Sequence, residues 1–170
     1  ALAGSLARSS KDLEEHEYAV RSVADALAPL CSSMNVPESP FVLHLSNVMH
    51  LATDVTGVLS DNSSPSDIFD LVSRIHPTAA VCGTPTDLAQ RTIDEIEGIS
   101  RGRYAGPIGW IDANGDGELG IALRCGQISN DQQSIRIYAG CGILAGSDPE
   151  REYAESQAKL LPMRTALENH

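Results

Sequence analysis

Apolar residues recur at helical spacing near the start of the chain. The steps between them are seven, three, four and three residues, which predicts one apolar face on a helix. We therefore predict a helix over residues 10–30, capped by Ser9 or Ser10. The residues that define this face are Leu13, Val20, Val23, Leu27 and Leu30.

The pattern then changes to alternating, β-rich segments. Residues 41–45 and 50–59 are predicted strands, and the polar stretch 32–40 before them is a predicted loop. Ser66 is the predicted cap of a short helix that ends near Ile75. Proline and glycine then make residues 76–85 a predicted irregular loop.

The second half of the chain begins with another helix, capped by Thr86 and ended by Gly98. Three antiparallel strands are then predicted over residues 104–111, 118–125 and 134–144. Helices and antiparallel strands in mixed order indicate an α+β fold, which we expect to be antiparallel sheet layers with helices packed outside.

The last predicted helix runs from Pro149 to about Leu167, is capped by Ser147 or Asp148, and contains Pro162 as a kink or a join. Three of its charged residues share one face. Two carboxylates followed by an ammonium can hold a hard divalent cation beside an anionic substrate, or they can form an ordinary solvated helix start. These residues are Glu152, Glu155 and Lys159.

Composition narrows the classes of partner. The chain has 170 residues, 42% of them hydrophobic, so it is one domain or part of a larger one. A formal net charge of −11 argues against nucleic acid or an anionic membrane as a partner. Four cysteines without C-x-x-C spacing indicate free thiols, and no signal peptide or span is visible, so we expect a cytoplasmic protein.

Several single features allow more than one interpretation. Residues 112–117 imitate the start of a calcium loop, but Leu123 stands where such a loop needs glutamate, so a hairpin turn is the better interpretation. His76 is either a catalytic imidazole or structural. Arg124, in a predicted strand, needs an acid or a substrate carboxylate as partner, and Gly140 marks a bulge or a close approach of a ligand.

Taken together, five ordered motifs resemble those of the chorismate-utilising enzymes, which include anthranilate, aminodeoxychorismate, salicylate and isochorismate synthases. An acidic helix at residues 11–17 and an H-L-A-T strand at residues 50–53 also match this family. The resemblance covers nearly all of this chain but only the C-terminal part of a family member. The motifs lie at residues 76–83, 104–110, 121–124, 138–143 and 147–159.

The resemblance implies a metal site and a substrate site. Glu15 and Glu155 match the two glutamates that ligate Mg²⁺, and Asp12 and Glu152 match acids that support the metal. The remaining matched positions surround chorismate, the expected substrate. They are Arg124, Ala139, Gly140, Lys159, Tyr104, His50, Ala80, and the Gly4-Ser5 turn.

Within the family, the segment around Ala80 is most similar to isochorismate synthases. The implied reaction is addition of water at C2 of chorismate with loss of the 4-hydroxyl, in siderophore or menaquinone synthesis. A salicylate synthase, which goes on to eliminate pyruvate, is the main alternative, and an anthranilate-type synthase is a further one. A non-catalytic acidic domain that binds metal is the alternative from a different class.

Two departures from the family pattern concern the extent of the chain. No segment here matches the family's lysine base or its glutamate acid, so we expect an N-terminal half of the same enzyme to supply them. The link between Ser5 and Ser10 is also shorter than the family pattern, which suggests a missing segment there.

Overall fold

The computed structural model contains helices and short antiparallel two-stranded sheets. It describes residues 9–44, 49–60 and 68–168. The predicted α+β class is confirmed. The Gly4-Ser5 turn, the suspected gap after Ser5 and the Ser66 cap lie outside the described residues.

The chain divides into two compact units. The first comprises Ala1–Gly98 and the turn at Ile111–Gly117. The second comprises Ile99–Trp110 and Glu118–His170. The predicted site residues are therefore shared between the two units.

The described part of the first unit opens with helix α1, Ser10–Leu27, followed by a 3₁₀ turn at Ala28–Leu30. Of the two predicted caps, Ser9 is the one used, because its hydroxyl accepts the N–H of Asp12 at 3.3 Å. The helix ends three residues earlier than predicted, where Pro29 enters the tighter turn.

Four short strands follow as two antiparallel pairs: β1 (Cys31–Asn35), β2 (Phe41–His44), β3 (Met49–Ala52) and β4 (Thr56–Leu59). Strand β1 pairs with β4, and β2 pairs with β3. The predicted loop at 32–40 is thus partly wrong, because pairing with β4 overrides the weak strand propensity of a polar segment. The predicted strand at 50–59 is two strands, since the chain changes partner after Ala52.

Two more helices complete the first unit, α2 (Ile68–Ile75) and α3 (Thr86–Glu97). The irregular segment predicted between them is confirmed. Thr86 is not the cap of α3. Pro85 takes that position without a side-chain hydrogen bond, and Thr86 is the first helical residue. Gly98 ends α3 as predicted, in the left-handed conformation at φ 62°.

The second unit contains two hairpins and a long helix, except that the turn of the first hairpin, Ile111–Gly117, belongs to the first unit. Its strands are β5 (Pro107–Ile111), β6 (Gly117–Ile121), β7 (Cys125–Ile128) and β8 (Ile135–Tyr138), paired as β5–β6 and β7–β8. All three predicted strands were therefore too long. The strand predicted over 104–111 begins only at Pro107, so Tyr104 lies before it. The strand predicted over 118–125 breaks after Ile121, and the strand predicted over 134–144 ends at Tyr138.

The turn between β5 and β6 is a hairpin turn, as predicted. The carboxylate of Asp112 accepts the N–H groups of Asn114 at 2.8 Å and of Asp116 at 3.1 Å. An aspartate that bonds its own turn in this way stabilises the reversal. Gly115 supplies the positive φ, 89°, that the turn requires.

The final helix, α4, spans Pro149–Glu168 and continues through Pro162 without a break. Asp148 provides its cap, because its carboxylate accepts the N–H of Arg151 at 3.0 Å. Ser147 instead accepts the N–H of Leu144, also at 3.0 Å, and so closes the turn before the helix. Among the described residues, no helix has the length and apolar character that crossing a membrane demands.

Large apolar side chains are exposed on both units. In the second unit they include four on the β5–β6 hairpin and the link after it, namely Ile108, Trp110, Ile121 and Leu123. Exposed apolar side chains on neighbouring segments are typical of a surface that another part of a protein covers.

The β5–β6 hairpin generates a test of stability. A methyl group at Gly109 would collide with the backbone carbonyl of Glu118 on the paired strand. We expect Gly109→Ala to lower the free energy of unfolding by about 1–3 kcal/mol, as overpacking does. Gly146→Ala is the matched control, because nothing lies within 4 Å of the added methyl. Urea denaturation measures both, and equal stability of the two variants would contradict the prediction.

Candidate functional site

Two backbone hydrogen bonds organise the predicted substrate residues of the second unit. The N–H of Ala105 donates to the carbonyl of Ala122, and the N–H of Ala122 donates to the carbonyl of Gly106, each at 2.9 Å. Ala105 is buried and has a φ of 63°, so the chain turns sharply there. We call this pair of hydrogen bonds the Ala105–Ala122 bracket. It holds the segment after Tyr104 against the segment before Arg124.

Arg124 lies in the link between β6 and β7 and not within a strand, which corrects the sequence prediction. Its backbone is left-handed at φ 48°. This conformation is uncommon for a residue with a side chain and is often found where function requires it. The next residue, Cys125, pairs with Tyr138 in the β7–β8 hairpin, so the link and the end of β8 are neighbours.

Tyr104 lies directly against this hairpin. Its ring stacks on that of Tyr138, with the centroids 5.1 Å apart and the planes 15° apart. The guanidinium of Arg101 lies 5.6 Å from the Tyr104 centroid. The Tyr104 hydroxyl also approaches the segment Ala139–Gly142, which we call the glycine loop. A Cβ added at Gly140 would be only 2.9 Å from this hydroxyl. Gly140 thus leaves room for the Tyr104 phenol, which is a side chain of the protein, and the predicted close approach of a ligand stays a prediction.

The segment Ala139–Gly142, which follows β8, is joined to α4 by two side chains. The Nζ of Lys159 donates to the carbonyl of Gly140 at 3.1 Å, and the Cys141 thiol donates to the carbonyl of Glu152 at 3.4 Å. The prediction that Gly140 and Gly142 lie in a strand is wrong, because the strand has already ended. Two hydrogen bonds therefore hold this loop against the helix that carries the acids.

The two acids of α4 have different environments. Glu152 is buried, with 5% of its surface exposed. Glu155 is more open and forms an ion pair with Lys159 at 2.6 Å. Burial, and then the neighbouring Glu152, raise the pKa of the Cys141 thiol. The cysteine is therefore a protonated donor at neutral pH, which suits its bond to the helix.

In the first unit, α1 supports the other predicted residues. The Nε2 of His16 and the Oγ1 of Thr53 share a hydrogen bond of 2.8 Å, which ties α1 to the end of the strand segment that carries His50. Asp12 and Glu15 lie on the first turns of the same helix. His50 faces Leu43 in the β2–β3 pair and is half-buried.

The same helix holds the loop that contains Ala80. The hydroxyl of Ser22 accepts the N–H of Ala79 at 3.1 Å. Ala80 follows in the turn and is exposed. His76, at the start of this loop, is half-buried, and its Nδ1 has no hydrogen-bond partner among the described residues. These contacts are compatible with both the structural and the catalytic interpretation, and both stay predictions.

The predicted metal ligands fit Mg²⁺ in chemistry. Asp12 and Glu15 are three residues apart on α1, and Glu152 and Glu155 are three residues apart on α4. Each pair presents carboxylate oxygens, the ligands that Mg²⁺ prefers. Within the described parts of the chain, no three His, Cys, Asp or Glu side chains form a group that could hold a metal. The role of these four acids as metal ligands therefore remains a prediction.

The structure thus brings Tyr104, Arg124, Ala139, Gly140 and Lys159 into one unit and attaches Asp12, Glu15, His50 and Ala80 to the other. Sequence reasoning did not find the supporting residues Tyr138, Cys141, His16 and Ser22. Tyr138 and Cys141 lie in the motif at residues 138–143, and His16 lies in the acidic helix at residues 11–17, but these patterns assign them no supporting role. Ser22 belongs to no motif.

A cavity with about 320 Å³ open to water lies along the β7–β8 hairpin. No residue predicted to bind substrate lines it. Its walls include Gln127, Ser129, Asn130 and Arg136, and Tyr138 forms one end. We do not assign this cavity to the substrate, because it lacks Arg124 and Lys159.

Comparison with known proteins identifies a family. The family model described as "Chorismate binding enzyme" matches residues 1–168. The isochorismate synthase DhbC of Bacillus subtilis strain 168 is 43% identical over 165 residues, which are 97% of this chain and 40% of that protein. This chain therefore spans about two fifths of the length of that relative.

Two solved structures are similar throughout this chain. One is described as a 2,3-dihydroxybenzoate-specific isochorismate synthase, DhbC, from Bacillus anthracis. It matches with a TM-score of 0.89 and 42% identity over 98% of this chain and 43% of its own. The other is anthranilate synthase component I from Streptococcus pneumoniae TIGR4. Its TM-score is 0.82, with 33% identity over 94% of this chain and 36% of its own.

The structural interpretation of His76 predicts a specific pH dependence. Burial lowers the pKa of His76 below 6.5, so the unfolded chain binds a proton more readily than the folded chain does. The contribution of neutral His76 to the unfolding free energy is therefore fully present above pH 6.5, and it is lost as the pH falls through the lowered pKa. We expect His76→Gln to lose less unfolding free energy than the wild type between pH 7 and pH 5.

Urea denaturation at a series of pH values measures this difference. The comparison at pH 8, where imidazole is neutral in both states, isolates the effect of His76→Gln on packing. Parallel pH profiles for the wild type and the variant would contradict the prediction.

Proposed function

This chain belongs to the family of chorismate binding enzymes, and on that premise we propose that the complete protein is an isochorismate synthase. Its substrate is chorismate, and its cofactor is Mg²⁺. The observation that supports this most directly is the arrangement in the second unit. The Ala105–Ala122 bracket, the β7–β8 hairpin and α4 bring the matched residues Tyr104, Arg124, Gly140 and Lys159 into one unit.

The charges of these residues suit an anionic substrate. Chorismate carries two carboxylates, whereas the protein has a net charge of −11. Binding therefore needs local cations or a metal. Arg124 can form paired hydrogen bonds to a carboxylate, and Lys159 supplies a second positive charge. The Gly140 carbonyl accepts a hydrogen bond from the Lys159 ammonium, which holds that charge beside the glycine.

In the proposed reaction, a water molecule adds its oxygen to C2 of chorismate. The ring double bonds shift, the C4–O bond breaks, and the 4-hydroxyl leaves and is protonated. A magnesium ion held by Glu15 and Glu155, with Asp12 and Glu152 in support, would bind the ring carboxylate and withdraw electron density. Arg124 and Lys159 orient the substrate by neutralising its other carboxylate.

Identity supports isochorismate as the product over anthranilate. It is 42–43% to the two proteins described as isochorismate synthases, against 33–36% to two anthranilate synthase chains. Ala80 supports isochorismate over salicylate, because the resemblance places threonine at this position in salicylate synthases and a smaller side chain suits the entry of water. Ala80 is exposed in a turn that α1 holds, so it is available to a ligand.

Product analysis tests the proposal. The complete gene product is incubated with chorismate and Mg²⁺, and the products are separated by liquid chromatography with mass detection. We expect isochorismate as the product and loss of turnover when the metal is chelated. Salicylate with pyruvate would identify a salicylate synthase instead, and an ammonia-dependent product would identify an anthranilate-type enzyme.

Arg124 provides the sharpest prediction for substrate binding. We expect Arg124→Lys to lower kcat/KM for chorismate by roughly a hundredfold or more, because a lysine cannot replace paired guanidinium bonds to a carboxylate. Arg164→Lys is the matched control. Arg164 is exposed near the end of α4 and contacts Gln157 only through one 3.1 Å bond. Equal kinetics for the two variants would contradict the assignment.

The acids are tested by metal binding and not by turnover alone. We expect Glu15→Gln and Glu155→Gln each to weaken Mg²⁺ binding about tenfold or more, since each removes a charged oxygen ligand. Isothermal titration with Mg²⁺ in the presence of chorismate measures the change. Glu118→Gln, on the exposed face of β6, is the control. Unchanged affinity in both acid variants would leave the non-catalytic acidic domain as the better interpretation.

A further inference from the structure

We infer that Tyr138 is a positioning residue for substrate binding. Its ring fixes the orientation of the Tyr104 phenol, which in turn faces the Gly140 backbone. The inference rests on the proposed function for the identity of the substrate. Its structural basis is the stacked pair of tyrosines in the second unit.

Tyr138 is built into the fold as a rigid support. It is the last residue of β8, it pairs with Cys125 across the hairpin, and only 7% of its surface is exposed. A buried aromatic ring that ends a paired strand has little freedom to move. Its plane is nearly parallel to that of Tyr104, at 15°, so the contact is a stacked one.

The backbone of Tyr104 is fixed independently of this stack. Its N–H donates to the carbonyl of Arg101 at 2.9 Å, and the next residue forms the Ala105–Ala122 bracket. What remains free is rotation about the side-chain bonds, which normally have several staggered positions. The ring of Tyr138 and the guanidinium of Arg101 both act on the Tyr104 ring and so select one orientation.

That orientation places the phenol oxygen beside the glycine loop. A Cβ at Gly140 would lie 2.9 Å from the Tyr104 oxygen, and the carbonyl of Gly140 accepts a hydrogen bond from Lys159. Three of the predicted substrate residues, Tyr104, Gly140 and Lys159, thus meet at this loop. A branched aliphatic residue at 138 would retain apolar volume but remove the flat surface that holds the phenol.

Steady-state kinetics of the complete gene product test the inference. We expect Tyr138→Leu to raise KM for chorismate about three- to tenfold, the size expected for a lost aromatic pair, with kcat little changed. Tyr138→Phe keeps the ring and should restore the wild-type KM. Tyr18→Leu, an exposed tyrosine on α1, is the matched control and should leave KM unchanged.

A double-mutant cycle separates positioning from general loss of structure. In the Tyr104→Leu background, Tyr138→Leu should change KM by less than about twofold, because its target is already absent. An equal effect in both backgrounds would overturn the inference, and so would a Tyr138→Phe variant as impaired as Tyr138→Leu. If Tyr138→Leu does not fold, Tyr138→Met replaces it, since methionine fills irregular space.

Crystal structures of the variants decide the inference even if the protein does not act on chorismate. We expect the Tyr104 hydroxyl to leave its position beside Gly140 in Tyr138→Leu and to keep it in Tyr138→Phe. An unmoved phenol in Tyr138→Leu would overturn the positioning role whatever the turnover. A displaced phenol in a protein that fails to bind chorismate would refute only the proposed function.

Discussion

The Ala105–Ala122 bracket is the constraint on which the second unit depends. Two hydrogen bonds of 2.9 Å join segments that are otherwise separated by a whole hairpin, and they place Tyr104 and Arg124 on either side of one junction. Neither residue belongs to a strand, so no sheet register fixes them. The β7–β8 pair then adds Tyr138 as a support for the phenol. Two isolated backbone hydrogen bonds therefore fix positions that regular secondary structure fixes elsewhere.

The two helices that carry the predicted metal-binding acids are also hydrogen-bonded to the loops that carry predicted substrate residues. Helix α1 bears Asp12 and Glu15 and binds the Ala80 loop through Ser22. Helix α4 bears Glu152 and Glu155 and binds the glycine loop through Lys159. In both units, the element that presents carboxylates is thus attached to a segment expected to contact substrate. Under the proposed function, this arrangement would connect the acids that hold Mg²⁺ to the segments that contact chorismate.

The helices were predictable because their signals are local: a cap, an apolar face and a terminal glycine. The family was predictable because five motifs occur in order. The strand boundaries were not, because the break at Ile121 follows from the bracket, which joins residues 17 apart in sequence. For the same reason, Arg124 was predicted in a strand. The stacking role of Tyr138 depends on its neighbour in space, which a single sequence does not reveal.

The left-handed backbone of Arg124 has a consequence for anyone who engineers this protein. At φ 48°, glycine or asparagine would relieve conformational strain, so a search for greater heat resistance would favour replacing the arginine. The proposed role of the guanidinium opposes that choice. Position 124 would then be one where a strained main-chain conformation is retained because the side chain is needed for function. A library of variants selected only for thermal stability would therefore lose Arg124 early, and with it the proposed contact to the substrate.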